Sequence, residues 1–369
     1  MPVIDLIAGA RPNFMKIASI IGAISSRKRN GGRLDYRLVH TGQHYHEEMS
    51  ARFFAQLGIP DPDVNLDAGS GSQAEQTARI MTRYERLLLS RKSELCLVVG
   101  DVTSTLACSI TAQKLHVPVA HVEAGIRSDD WSMPEEINRI VTDSITNYFF
   151  TTSENANRNL CRSGVAADRI FFVGNTMIDT LLANMERLRP PAFWKELGLK
   201  AGNYFILTLH RPTNVDDAAR LRTMLLAVAE GCRDLPVIFP VHPRTAITLR
   251  TLKDLPSSLK VVEPQPYLEF NYLAKYSKAV ITDSGGITEE TTVMGVPCMT
   301  LRDSTERPET VTIGTNELLG TDPSRLKPAL DRLYSGSWKK GAIPEKWDGK
   351  AGGRIVVELE RLLNSSSRK

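Results

Sequence analysis

The chain has 369 residues, 42% of them hydrophobic and 24% charged, the balance of a folded globular protein with room for two domains of ordinary size. Its net charge of +4 is small and dispersed, which argues against nucleic acid as a partner, and basic clusters such as Arg27-Lys28-Arg29 read as a solvated helix end. Five isolated cysteines (Cys96, Cys108, Cys161, Cys232, Cys298) without CxxC spacing, a start (Met1-Pro2-Val3-Ile4-Asp5) that runs directly into a strand pattern, and no apolar run near the roughly 20 residues of a membrane span lead to the expectation of a cytoplasmic protein without a membrane partner.

In chain order, short apolar runs alternate with longer amphipathic segments, the pattern of βαβ units and parallel sheets. Val3–Ala8, Tyr36–His40, Leu95–Val99, Val117–Val122, Tyr148–Thr152 and Ile170–Val173 read as strands of a first sheet, with helices such as Ala74–Arg91 and Leu106–Leu115 between them. Composition shifts near Arg187–Pro191, and a second set of strands follows at Tyr204–Leu209, Val237–Pro240, Leu259–Val262, Ala279–Thr282 and Cys298–Leu301. The expected division is a first α/β domain over 1–174 and a second over 175–353, with the amphipathic segment 354–369 returning to pack on the first.

The strand-like runs of the first half end in acids: Leu97-Val98-Val99-Gly100 leads to Asp101, and the run to Val122 leads to Glu123. Ligands of open α/β sheets sit outside the carboxyl ends of strands, so acids gathered there point to proton chemistry. Asp101 alone would read as a helix N-cap. Glu135 follows a turn with Trp131, Met133 and Pro134, and Arg139, four residues on, falls on the same helical face and is expected to orient it, leaving Glu136 to point toward a loop or a second ligand. Paired acids beside apolar side chains can serve as one proton donor and one acceptor. Earlier in the chain, Gly9-Ala10-Arg11-Pro12 opens a helix-compatible run, where backbone N–H groups with Arg11 and Lys16 suit a phosphate; an ordinary βα turn accounts for the same residues. Thr41-Gly42-Gln43-His44-Tyr45-His46 reads as a polar loop at a strand end rather than a metal site, for lack of a third ligand at a characteristic spacing.

In the second half, the strand Tyr204–Leu209 ends in His210-Arg211-Pro212-Thr213-Asn214, and a histidine there can stabilise or protonate a departing phosphate. Val280-Ile281-Thr282-Asp283 opens into Ser284-Gly285-Gly286 and a helix carrying Glu289 and Glu290. That arrangement suits a diphosphate at the helix start, with a carboxylate further in for ribose hydroxyls. Arg302 and Arg307 add anion donors.

Gly9-Ala10-Arg11-Pro12, Thr41-Gly42-Gln43-His44, Gly100-Asp101-Val102-Thr103-Ser104, His121-Val122-Glu123-Ala124-Gly125-Ile126-Arg127, Pro134-Glu135-Glu136-Ile137-Asn138-Arg139, His210-Arg211, Thr282-Asp283-Ser284-Gly285-Gly286 and Thr305-Glu306-Arg307-Pro308-Glu309 occur in one order along the chain. Together, from about Val3 to about Thr321, they resemble the bacterial and archaeal non-hydrolysing UDP-N-acetylglucosamine 2-epimerases. The resemblance implies a GT-B architecture, two Rossmann-like domains facing a cleft, and a homodimer. It also implies interconversion of UDP-GlcNAc and UDP-ManNAc in support of cell-surface polysaccharide synthesis, by elimination of UDP to 2-acetamidoglucal and re-addition, with neither NAD nor a metal required.

On the same resemblance, Asp101, Glu123 and Glu135 match the catalytic carboxylates, His210 the catalytic histidine, and Arg139 a group at the phosphates or beside Glu135. Arg11, Lys16, Ser284, Gly285, Gly286, Glu290 and Arg307 match UDP-binding positions, with Phe270 at the uracil. Gln43, Glu136, Arg211 and His242 are counterparts of an activating second UDP-GlcNAc site that some bacterial members possess. The chain departs from the family pattern in that region, with Pro212-Thr213-Asn214 after His210-Arg211 and Tyr45-His46-Glu47-Glu48-Met49 after Gln43-His44. Rival readings are an epimerase of a modified UDP-2-acetamido sugar, a hydrolysing 2-epimerase that releases free ManNAc, and a GT-B glycosyltransferase. A nucleotide-sugar sensor would not require the acid cluster.

Overall fold

The computed structural model describes residues 2–42 and 54–366. The chain divides into two compact units, Met1–Ala183 with Glu345–Lys369, and Asn184–Pro344. Among the described residues no helix is long and apolar enough to cross a membrane.

The first unit runs β1 (Val3–Ala8), α1 (Arg11–Arg29), β2 (Asp35–His40), β3 (Val64–Asn65), α2 (Gln73–Ser90), β4 (Leu95–Val99), α3 (Thr103–Lys114), β5 (Val119–Val122), α4 (Pro134–Ile145), β6 (Tyr148–Thr151), α5 (Glu154–Arg162), β7 (Ile170–Phe172) and α6 (Thr176–Asn184). Among the described residues its seven strands are all parallel, in the order β3-β2-β1-β4-β5-β6-β7. Strands buried on both faces are predominantly apolar, and β1 shows how its side chains alternate between the two faces. Ile4, Leu6 and Ala8 face one core layer with Phe14, Ile17 and Ile355, while Ile7 joins Val39, Ile80 and Val98 on the other side. Asp5 lies on that second face, fully buried, and is neutralised by a two-bond contact from Arg37 (both 2.8 Å) and by the Tyr84 hydroxyl at 2.9 Å. The cluster Arg27-Lys28-Arg29 does form the last turn of α1, where positive charge complements the helix C-terminus.

The boundary between units falls one helix beyond the expected junction at Gly174-Asn175. α6 stays with the first unit because Thr180 donates to the Met15 carbonyl and Asp179 receives the Ala351 and Gly352 N–H groups (3.1 and 2.7 Å) that open the last helix, α14 (Ala351–Ser366). Burial pushes the Asp179 carboxyl up to about 6, even with these two donors drawing it down. The returning segment is also anchored by Trp347, whose indole donates to the Thr152 carbonyl at 3.1 Å. At Gly174 (φ +96°) a Cβ would lie 2.0 Å from the Lys346 carbonyl oxygen, so only glycine permits that approach.

The second unit runs β8 (Phe205–Thr208), α7 (Pro212–Val215), α8 (Ala218–Gly231), β9 (Val237–Pro240), α9 (Pro243–Leu249), β10 (Leu259–Val262), α10 (Tyr267–Tyr276), β11 (Ala279–Thr282), α11 (Gly285–Met294), β12 (Cys298–Thr300), α12 (Pro308–Thr312), β13 (Asn316–Leu318) and α13 (Leu326–Tyr334). Its six parallel strands are ordered β10-β9-β8-β11-β12-β13. The strand order therefore reverses twice, between β1 and β4 and between β8 and β11. These are the crevices where doubly wound sheets bind ligands. Residues 9–16 and 100–101 flank the first crevice, and residues 210 and 283–286 flank the second.

Candidate functional site

In the first unit, Asp101 and Glu123 follow the adjacent parallel strands β4 and β5, where Val99 is in register with Val122. Glu123 is 3% exposed and adopts a left-handed backbone (φ +70°), a conformation that costs a non-glycine residue on the order of 1–3 kcal/mol and tends to mark functional sites. Its carboxylate meets the buried Lys16 ammonium at 2.5 Å. Gly100 (φ +68°) makes room for this pair, since a Cβ there would lie 2.8 Å from Lys16 Nζ and 3.4 Å from Glu123 Oε2.

Asp101 is not a cap; α3 starts from Val102 as its N-cap, one residue later. The Asp101 carboxylate is held by Arg139 at 2.5 Å, and its carbonyl accepts the Asn138 amide at 2.8 Å. Here the expected pairing of Arg139 with Glu135 is corrected. Arg139 bonds Asp101, Glu136 (2.8 Å) and the Ser128 hydroxyl, while Glu135 is exposed in the first turn of α4. A helix places i and i+3 as close as i and i+4, and burial of Glu136 decided between them. Besides Arg139, Glu136 accepts the Ser128 and Asp129 N–H groups of the preceding loop (3.0 and 3.1 Å).

The phosphate reading of the Gly9 turn is also modified. The Gly9 and Ala10 N–H groups are taken by Asn13 Oδ1 (3.1 and 3.0 Å), and the Asn13 amide crosses the reversal point to the Val99 carbonyl at 2.9 Å. Lys16 is engaged by Glu123 instead of extending to solvent. Arg11 opens α1, and Gln43 lies outside the described residues.

In the second unit, Asp283 is fully buried at the end of β11 and organises the loop after β8. It accepts the His210 ring Nδ1 at 2.8 Å, the His210 and Arg211 N–H groups, and the Asn214 amide at 3.1 Å. Burial pushes the Asp283 carboxyl up, but the His210 bond and charge, the Arg211 N–H and Asn214 outweigh it and hold the group below the ordinary range. With Nδ1 engaged and the ring 41% exposed, Nε2 is the nitrogen left to meet a ligand. The Arg211 side chain bonds the Asp283 carbonyl at 3.2 Å, and His242, the N-cap of α9, lies with its ring centroid 5.9 Å from that of His210.

Ser284 is the N-cap of α11, and its N–H goes to Thr282 Oγ1 at 3.0 Å. The Glu306 carboxylate packs over the helix start, 2.6 Å from where a Gly285 Cβ would sit, and is paired with Arg302 at 2.6 Å. Burial raises the Glu306 carboxyl, but Arg302, and secondarily Arg307, bring it down to about 2. Arg307 bonds the buried Glu289 at 2.6 Å. Glu290 is 5% exposed; burial pushes its carboxyl up to about 7 against hydrogen bonds from Tyr267 and Asn271. Phe270 packs at the edge of the core lined by Leu273, Val280 and Tyr204.

The UDP-N-acetylglucosamine 2-epimerase family model matches residues 26–360. The chain belongs to this family. It is 41% identical over 368 residues to a UDP-N-acetylglucosamine 2-epimerase of Methanocaldococcus jannaschii, covering 96% of this chain and 97% of that one. It is 42% identical over 360 residues to the UDP-2,3-diacetamido-2,3-dideoxy-D-glucuronate 2-epimerase of Pseudomonas aeruginosa, covering 96% and 99%. The crystal structure of the M. jannaschii UDP-GlcNAc 2-epimerase in complex with UDP-GlcNAc and UDP superposes with a TM-score of 0.86 at 39% identity, over 97% of this chain and 99% of that one. This epimerase thus has two Rossmann-like α/β domains of the GT-B class, as the sequence led one to expect.

Site residues missing from the sequence reading are Asn13, Ser128, Asp143, Asn214 and Asn271. Ser128 bonds Glu136 and Arg139, and Asn271 bonds Glu290, whereas Asn13, Asp143 and Asn214 bond the backbone and side chains around these groups; all five are ordinary helix and loop polars in sequence. The recurrence Glu136, Arg139, Asp143 along one helix face was the available signal.

Proposed function

We propose that this epimerase interconverts UDP-GlcNAc and UDP-ManNAc without hydrolysis. The observation that carries the reading is the pair of carboxylates, Asp101 and Glu123, on adjacent strand ends at the reversal of the first sheet, with Glu123 held in a left-handed backbone against Lys16. The C2 hydrogen of a 2-acetamido sugar has no adjacent ring carbonyl, so direct deprotonation is unfavourable. Removal of the C2 proton as the C1–O bond to UDP breaks gives the C1=C2 double bond of 2-acetamidoglucal. UDP then adds back at C1 while a proton reaches the opposite face of C2. UDP leaves and returns as the nucleophile, so the balance requires no redox cofactor.

In this scheme Asp101, Glu123 and Glu135 handle the proton at C2, and Arg139 fixes Asp101. His210, held through Nδ1 by Asp283, donates from Nε2 to the departing diphosphate. Ser284, Gly285, Gly286, Arg11 and Arg307 belong to the diphosphate, Glu290 accepts from the ribose hydroxyls, and Phe270 lies at the uracil. Arg211 and His242, close to His210, remain the residues for an activating nucleotide sugar, with Gln43; Glu136 serves the Ser128 loop and Arg139. A homodimer in the cytoplasm completes the reading.

A second substrate is favoured by one comparison: the relative named for a diacetamido glucuronate sugar matches this chain at 42%. Proton NMR in D2O with each UDP sugar tests both. Deuterium at C2 of UDP-ManNAc supports the first reading, and deuterium only in the diacetamido sugar moves the assignment to that substrate. Free ManNAc makes the enzyme hydrolysing, and no exchange in either sugar refutes C2 epimerisation of these substrates.

A further inference from the structure

His121 lies in β5, two residues before Glu123, and is fully buried. Both of its ring nitrogens are committed: Nδ1 to Asp143 Oδ1 at 2.8 Å and Nε2 to the Gly100 carbonyl at 2.8 Å. The Gly100 carbonyl belongs to the peptide that leads into Asp101. The second Asp143 oxygen accepts the Gly125 N–H at 3.0 Å, in the turn that places Glu123, and meets Arg127 Nη1 at 2.7 Å. Burial pushes the Asp143 carboxyl up, yet the His121 bond and charge together with Arg127 hold it below the ordinary range.

We propose that Asp143 and His121 form a positioning strut that sets the separation of Asp101 and Glu123 without touching the sugar. A buried histidine with both nitrogens satisfied is ordinarily a core fixture, and the difference here lies in where its bonds end. One arm of the strut stops at the peptide before Asp101. The other stops two residues after Glu123, whose left-handed backbone has no steric preference of its own to hold it in place. A carboxylate displaced by about 1 Å can cost on the order of 100-fold in rate, so such a strut acts on turnover more than on binding. The proposal rests on the assignment of Asp101 and Glu123 to proton transfer at C2.

Two substitutions separate the arms. The His121→Asn amide reaches the place of Nδ1, keeping Asp143 and losing Gly100. The longer His121→Gln amide reaches the place of Nε2, keeping Gly100 and losing Asp143. Steady-state kinetics in the epimerisation direction, with UDP affinity by calorimetry, reads the outcome per folded molecule. The expected result is a kcat about 100-fold down in His121→Asn with KM and UDP affinity nearly unchanged, and partial rescue in His121→Gln. Equal kcat in wild type and His121→Asn overturns the strut, as does a loss of UDP affinity that matches the loss of kcat. Amide hydrogen exchange over residues 99–106 provides a readout independent of activity: it should quicken in His121→Asn and not in His121→Gln, and equal exchange in the two also overturns it. Wild-type protein that turns over no UDP sugar sinks the assignment of the acids, while the exchange measurement still decides the strut.

Discussion

Replacing Glu290 by Gln should make this protein more stable above neutral pH and bind UDP less well. Glu290 sits on α11 with 5% exposure, and burial moves its carboxyl from an ordinary 4.5 up to about 7. At about 1.4 kcal/mol per pH unit, that displacement corresponds to ~3 kcal/mol between the protonated and ionised forms. The folded chain holds this proton more tightly than the unfolded chain. The group's stabilising contribution is therefore complete below about pH 4.5 and is lost as pH rises through about 7. Glutamine keeps the shape and cannot ionise, so Glu290→Gln should match wild type near pH 4.5 and exceed it by up to ~3 kcal/mol near pH 8. Urea-unfolding midpoints of both proteins across that range measure the difference. A separation that stays constant with pH would refute the reasoning, because it would mean that Glu290 does not change its protonation on folding. Retention of so costly a carboxylate makes sense if it accepts from a ligand, so the same variant should weaken UDP binding measured by calorimetry.

Arg37→Met leaves Asp5 charged and buried with only Tyr84 beside it, and should cost about 3–5 kcal/mol in urea unfolding; a loss under about 1 kcal/mol would show that water reaches Asp5. Gly174→Ala combines a positive φ with a 2.0 Å contact to the Lys346 carbonyl, so it should lower stability by at least about 2 kcal/mol and release the C-terminal segment to proteolysis. His210→Ala should reduce kcat on the order of 100-fold while leaving UDP affinity nearly intact, and an equal loss in both would reassign His210 to binding.

Hydrophobic period and length alone determined the parallel α/β class, because strands covered by helices on both faces are apolar at nearly every position, as Leu95–Val99 and most of Ala279–Thr282 are. They also located the acids after β4 and β5 and the Ser284-Gly285-Gly286 helix start, since strand ends are visible as the points where apolar runs stop. The short edge strands Val64–Asn65 and Asn316–Leu318 were invisible, being too brief for any period. The helix expected over Leu106–Leu115 begins earlier, at Thr103, because the small polar side chains of its buried first turn bond inward, as Thr105 does to the Val99 carbonyl. Which partner each charge takes was a tertiary decision. Arg139 chose Asp101 and Glu136 over Glu135, Lys16 chose Glu123, and Asn13 took the amides that by sequence suited a phosphate or an ordinary βα turn equally. Sequence spacing says which side chains share a helix face, but the cost of burying a charge unpaired decides among partners that only the folded chain brings together.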